Sequence, residues 1–239
     1  MSNQIDRILN SHQTHHIMNH IVAGYPSLAG NETIVESMTA AGTGLLEIQI
    51  PFSDPMADGN TILKANHDAL RNGTSIDDSF FLARTLKDRF DLAIVLMTYA
   101  NIPFKLGFES FITRCSQSGV DGVIIPDLPF DSEFRSFFLG LKKANIHPIF
   151  VVSPRMDPSR LTQILSVASG FIYATLKVGI TGERKTVERS GLDFLTSLRQ
   201  QIALPIAAGF GISTVLQVQE IENYADISVI GSHMINLYN

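Results

Sequence analysis

The chain is poor in the features that mark several protein classes. Its one cysteine, Cys115, cannot close an internal disulfide and has no second thiol with which to hold zinc, which fits a reducing cytosol. No apolar run approaches the ~20 residues of a membrane span. The opening Met1-Ser2-Asn3-Gln4-Ile5-Asp6-Arg7 lacks the basic-then-apolar order of a secretory signal, so a cytoplasmic location is expected. Lysine and arginine number 18 against 23 aspartates and glutamates, for a net charge of −5. Without a basic stripe, nucleic acid is not an expected partner, and a membrane is not either. There is no linker and no low-complexity stretch. What is present is 239 residues that are 45% hydrophobic, enough for one large domain with a sizeable core over residues 1–239.

Short apolar runs alternate with longer amphipathic ones. Strands are predicted at His20–Gly24, Gly44–Ile50, Leu92–Tyr99, Gly122–Ile125, Pro148–Val152, Gly170–Thr175, Pro205–Ala208 and Ile227–Ile230. Helices are predicted at Glu32–Ala41, Thr61–Asn72, Ile76–Arg89, Phe108–Ser118, Ser132–Ala144, Ser159–Ala168, Gly191–Gln201 and Val215–Asn223. Ser132, Asp157-Pro158 and Ser213-Thr214 stand where helices should start, and Gly42, Gly119 and Gly170 where they should end. Eight alternating units predict a closed parallel (β/α)8 barrel. The rival, an open doubly wound sheet, lacks a Gly-x-Gly-x-x-Gly after its first strand.

In such a barrel the chemistry belongs at the C-terminal ends of the strands. In the second predicted strand Leu46, Ile48 and Ile50 share one face, and Leu45, Glu47 and Gln49 the other. An acid on the inner face of a buried strand is costly unless it is paired, solvated or functional. Asp58 follows on the next loop, so two carboxyl groups can divide acid and base roles over one pocket. The structural alternative for Asp58 is the N-cap of the helix that follows. Asp127, between two prolines, reads as a turn former. Glycine-bearing turns at Gly209–Ser213 and Gly231-Ser232, each opening a helix, suit an anion such as phosphate. Residues 177–187, polar and glycine-bearing, read as a loop able to act as a lid. His12, His15 and His16 precede the first predicted strand and read as surface residues; no carboxylate or cysteine stands at ligand spacing, so no metal is expected. His20 would point into the barrel mouth.

Together, several motifs resemble the tryptophan synthase alpha chain family over nearly the whole length. They are Leu46–Gly59 (LEIQIPFSDPMADG), Ala23–Pro26, Met97–Asn101, Gly170–Tyr173 followed by Gly179–Gly182, and Gly209–Ser213. The resemblance implies a lyase that cleaves indole-3-glycerol phosphate to indole and glyceraldehyde 3-phosphate by a retro-aldol reaction. It implies no cofactor in this chain, since pyridoxal phosphate belongs to a beta-chain partner, within an alpha2-beta2 assembly. It implies Glu47 as the acid/base and Asp58 as the group holding the indole N–H. His20, Gln49, Met97, Tyr173, Thr181 and Phe210 would border the substrate. Gly182, Gly211, Gly231 and Ser232 would bind its phosphate.

The chain departs from the family in places. Gln49 stands where the family has glycine, and by alternation it should project toward the active site and crowd an indole. Asn19-His20 replaces a proline-aromatic pair, and Leu176-Lys177 replaces a Ser-Arg-like pair. The sequence ends at Asn239, eight residues after Gly231, where the family continues for a further helix. The usual C-terminal helix is therefore expected to be shortened or missing, with the outer wall beside strands eight and one uncovered. Two other functions stay open: a catalytically weak alpha-like subunit that activates a beta chain, and a barrel lyase or isomerase acting on another phosphorylated substrate.

Overall fold

A computed structural model describes residues 3–131, 133–176, 188–209 and 211–238. Eight strands run β1 (His16–Val22), β2 (Leu45–Gln49), β3 (Ala93–Met97), β4 (Gly122–Ile124), β5 (His147–Val152), β6 (Ile172–Thr175), β7 (Ile206–Gly209) and β8 (Ile227–Ile230). They pair in sequence order, all parallel, and β8 closes on β1. The helices are α1 (Gln4–Leu9), α2 (Leu28–Ala40), α3 (Asn60–Arg71), α4 (Ile76–Arg89), α5 (Asn101–Leu106), α6 (Phe108–Gln117), α7 (Arg135–Lys143), α8 (Pro158–Leu165), α9 (Arg189–Gln201), α10 (Val215–Ile221) and α11 (Ser232–Leu237). The expected (β/α)8 barrel is the observed fold. Among the described residues no helix is long and apolar enough to cross a membrane.

Side-chain alternation divides the core in two. Leu45, Ala93, Val95, Met97, Ile124, Ile149, Phe171, Ala207, Ile227 and Val229 fill the barrel with Met18 and Ile5. Leu46, Ile48, Ile50, Ile94 and Leu96 face outward and pack beneath the helices. The second strand thus divides as its sequence predicts, with Leu45 inside and Leu46, Ile48 and Ile50 outside.

Ile5 reaches the barrel interior because α1, which the sequence reading did not include, lies across the N-terminal end of the barrel. Asn3 caps α1 through its side chain, which accepts from Ile5 N, while its Nδ2 donates to Asp121 O at 2.8 Å. Asp121 anchors the same end. It accepts from Lys87 Nζ at 2.6 Å, Ile94 N at 2.8 Å and Gln4 N at 3.2 Å.

Three local expectations change. The first strand begins at His16, not His20, so His16 is a buried strand residue rather than a surface one; Asp226 O accepts its N–H at 2.9 Å, extending the ladder to β8. Helix α7 starts at Arg135 rather than Ser132, and Asp131 Oδ1 takes the backbone N–H groups of Glu133 and Phe134. Helix α3 is capped by Gly59 with no side-chain bond, so Asp58 is not its N-cap. The other two predicted starts hold. Asp157 caps α8 with Pro158 in the first turn, and Thr214 and Gln217 form a capping box on α10.

After β8 the chain forms the six-residue α11, which packs against α3 and β1. Beside it a largely apolar groove lies over the outer faces of β1 and β8, between Ile34 and Met38 of α2 and Met234 and Leu237 of α11.

Candidate active site

A cavity opens at the C-terminal end of the barrel. Its walls are mostly apolar: Ala57, Ile62, Met97, Ile124, Pro126, Val151, Ile212 and Val229. Into them are set His20, Glu47, Asp58 and Tyr173, with Gly211, Gly231, Ser232 and His233 along one side. Each strand delivers its group by alternation. Glu47 follows Leu45 on the inner face of β2, and the β1–β2 register places His20 beside it. The His20 Nδ1 lies 3.5 Å from Glu47 Oε1, both side chains being almost wholly buried.

Asp58 is held from behind. Gln49 Nε2 donates to its Oδ2 at 2.7 Å, and the Tyr99 hydroxyl donates to the same oxygen at 2.9 Å. Asn66 of α3 supports this pair. Its Oδ1 takes the Phe52 N–H at 2.9 Å and a longer contact from Gln49 Nε2 at 3.4 Å, while its Nδ2 donates to Ile62 O at 2.8 Å. Tyr99 also accepts from Ala57 N at 3.1 Å, which ties the loop carrying Asp58 to the end of β3.

Burial sets the electrostatics. It pushes the Asp58 carboxyl up from its ordinary value, and the Glu47 charge adds to this. The hydrogen bonds from Gln49 and Tyr99 and the charge of His20 resist it. Burial would lower the His20 imidazole, but the Glu47 charge, the contact with Glu47 and the Asp58 charge together outweigh it and raise the value. Burial holds the Tyr173 phenol well above its ordinary value, so the ring stays neutral.

The structure brings together His20, Glu47, Asp58, Met97, Tyr173, Gly211, Gly231 and Ser232 from the expected set. Gln49 differs from its expected placement. It is fully enclosed and forms no part of the cavity lining, because its amide turns toward Asp58 and Asn66 at the top of the barrel wall. Thr181, Gly182, Phe210 and the loop 177–187 lie outside the described residues. Asp127 keeps its structural reading, its Oδ1 accepting from Ala100 N at 2.8 Å. Apart from Met97, the sequence reading did not single out the apolar walls, nor Tyr99 and Asn66, as site residues. Inward alternation on β4, β5 and β8 points to Ile124, Val151 and Val229. Nothing local announces Asn66, which acts across the gap between α3 and β2.

Comparison with known proteins settles the family. The family described as tryptophan synthase alpha chain matches residues 7–239. The chain belongs to the tryptophan synthase alpha chain family. The alpha chain from Syntrophotalea carbinolica is 40% identical over 221 residues, covering 92% of this chain and 87% of that protein. The alpha chain from Desulfotalea psychrophila is 38% identical over the same length and shares. Among solved structures, Mycobacterium tuberculosis tryptophan synthase superposes with a TM-score of 0.91 at 25% identity, covering 99% of this chain and 91% of that one. A structure of the tryptophan synthase a2b2 complex from Pyrococcus furiosus gives 0.87 at 28% identity, covering 94% and 90%. The alpha-chain family is a lyase family, and the segment that carries the resemblance gives Glu47, Ala57 and Asp58 to the cavity lining.

Proposed function

We propose that this chain cleaves indole-3-glycerol phosphate to indole and glyceraldehyde 3-phosphate, as the alpha subunit of a tryptophan synthase. The observation that carries the reading is the convergence of two buried carboxyl groups, Glu47 and Asp58, on one apolar cavity at the catalytic end of the barrel. The reaction needs a proton on the indole ring carbon that bears the side chain, and the loss of the proton on the adjacent glycerol hydroxyl. The carbon–carbon bond then breaks as the hydroxyl oxygen becomes the aldehyde oxygen, and its electron pair returns to the ring. Glu47 is placed to move these protons. Asp58 accepts the indole N–H and stabilises the positive charge that develops on the protonated ring. Met97 and the aliphatic walls pack the indole, Tyr173 borders it, and the turns at Gly211 and Gly231-Ser232 take the phosphate. Thr181, Gly182 and Phe210 join this assignment through the resemblance alone.

We infer further that the chain works with a beta chain, which supplies the pyridoxal phosphate chemistry that consumes indole, and needs no cofactor of its own. Met56, exposed at 82% of its surface two residues before Asp58, gives the catalytic end an apolar side chain suited to a partner contact. The test is indole release from indole-3-glycerol phosphate by the purified chain, with and without a beta chain. Glu47→Gln should lower turnover by at least ~10²-fold, the low end for a general acid–base group, with the fold retained. Near-normal turnover by that variant would remove Glu47 from the chemistry.

A further inference from the structure

His20 stands beside Glu47, and the proposed chemistry does not use it. We propose that His20 is a positioning residue that shares a single proton with Glu47, so that the two act as one acid–base unit. The inference rests on the lyase reading above and deepens it at the same site.

Three observations support the pairing. First, the β1–β2 register sets His20 and Glu47 side by side, with Nδ1 3.5 Å from Oε1. Second, both groups are almost fully buried, so an unpartnered charge on either would be expensive and the proton is best kept between them. Third, His20 Nε2 is buried and has no hydrogen-bond partner, although the ring lines the cavity. With Nε2 unpartnered, Glu47 is the polar contact the structure gives the ring.

The titratable groups that line the cavity with His20 come from several elements. Glu47 faces it from β2, Asp58 from the loop after β2, Tyr173 from β6 and His233 from α11. No lysine or arginine is among the described lining residues. His20 is therefore the basic group set directly against the catalytic carboxylate, and the net attraction of the two carboxylates favours its protonated form.

The pair is active when it holds one proton. As Glu47 protonates the ring carbon, the hydroxyl proton returns to the pair, so the cycle ends as it began with no proton gained or lost. Above the titration of His20 the pair is empty and cannot protonate carbon. With two protons held the pair is full and cannot accept the hydroxyl proton. Without His20 the more basic member of the pair is gone, and the basic limb moves to lower pH.

The experiment measures kcat and KM for indole-3-glycerol phosphate from pH 5 to 9 in the wild type, His20→Asn and His20→Phe. Asparagine keeps a neutral donor near the Nδ1 position but cannot titrate. Both variants should lose about 10²-fold in kcat with little change in KM, and their basic limb should fall to lower pH. A basic limb that stays in place in the variant that folds, or a kcat within a few-fold of the wild type, overturns the proposal. A second arm reads the imidazole titration of labelled His20 by NMR, assigned by its loss in His20→Asn. Its midpoint should drop in Glu47→Gln, and an unchanged midpoint overturns the pairing. Should the wild type release no indole, the lyase reading fails, and the NMR arm decides the pairing by itself.

Discussion

Replacing Gln49 by leucine separates catalysis from stability in a way the structure makes quantitative. The Gln49 amide nitrogen donates to Asp58 at 2.7 Å, while its carbonyl oxygen is buried with no partner. A hydrogen bond to a charged group contributes about 1.5–3 kcal/mol, and an unsatisfied buried acceptor costs about 1–3 kcal/mol. Leucine removes both at similar volume, so the two effects on stability oppose each other and the net change should stay within about 2 kcal/mol. Catalysis has no such compensation. Asp58 is left with the Tyr99 hydroxyl alone and loses the N–H that resists its upward shift, so its charged form is less favoured. If the 1.5–3 kcal/mol is lost from the transition state, kcat/KM falls by about tenfold to 10²-fold, at 1.36 kcal/mol per factor of ten. The assays are urea unfolding and initial-rate indole release. An unchanged or higher kcat/KM would refute the argument and restore Gln49 as an obstruction. Gln49→Gly, which the sequence alone suggests would open the pocket, should instead lose activity as well, and lose stability through the void it leaves.

Three further outcomes can be measured. A Cβ at Gly209 would lie 2.3 Å from the Tyr173 hydroxyl, so Gly209→Ala must displace that ring, and kcat/KM should fall about tenfold, equivalent to ~1.4 kcal/mol; an unchanged rate would show that Tyr173 is dispensable. A Cβ at Gly231 meets nothing closer than Ile62 Cδ1 at 3.7 Å and His20 Cβ at 3.9 Å, so Gly231→Ala should keep its stability within ~0.5 kcal/mol while KM for the phosphorylated substrate rises, and an unchanged KM would move the anion site elsewhere. Burial lowers the imidazoles of His16 and His147 from 6.5, so the unfolded chain takes up these protons first. Their contribution is present above pH 6.5 and is lost as pH falls toward the lower folded values. His16→Gln should therefore flatten the loss of urea resistance between pH 7 and 5, and a slope equal to the wild type would contradict the assignment.

The element order was legible in the sequence because helices and strands announce themselves through local periodicity. Alternation within β2 put Glu47 inside, and the glycine-bearing turns placed Gly211 and Gly231 at the catalytic end. Each of these depends on residues a few positions apart, so the chain carries them without knowledge of the fold. The N-terminal plug was not legible, because α1 is six residues long and is held in place by Asp121, over a hundred positions away.

The same distinction runs through the site. The sequence determined that Glu47 and Asp58 exist, eleven residues apart on a strand and its loop, and that Gln49 shares the face of Glu47. Only tertiary structure decided where the Gln49 amide goes, because the alternatives differ by hydrogen bonds to Asp58 on a loop and Asn66 on a separate helix. Only the register of β1 on β2 decided that His20 and Glu47 meet. Side-chain direction follows from backbone period, but a buried polar group's partner follows from which distant groups the packed chain brings within about 3 Å of it.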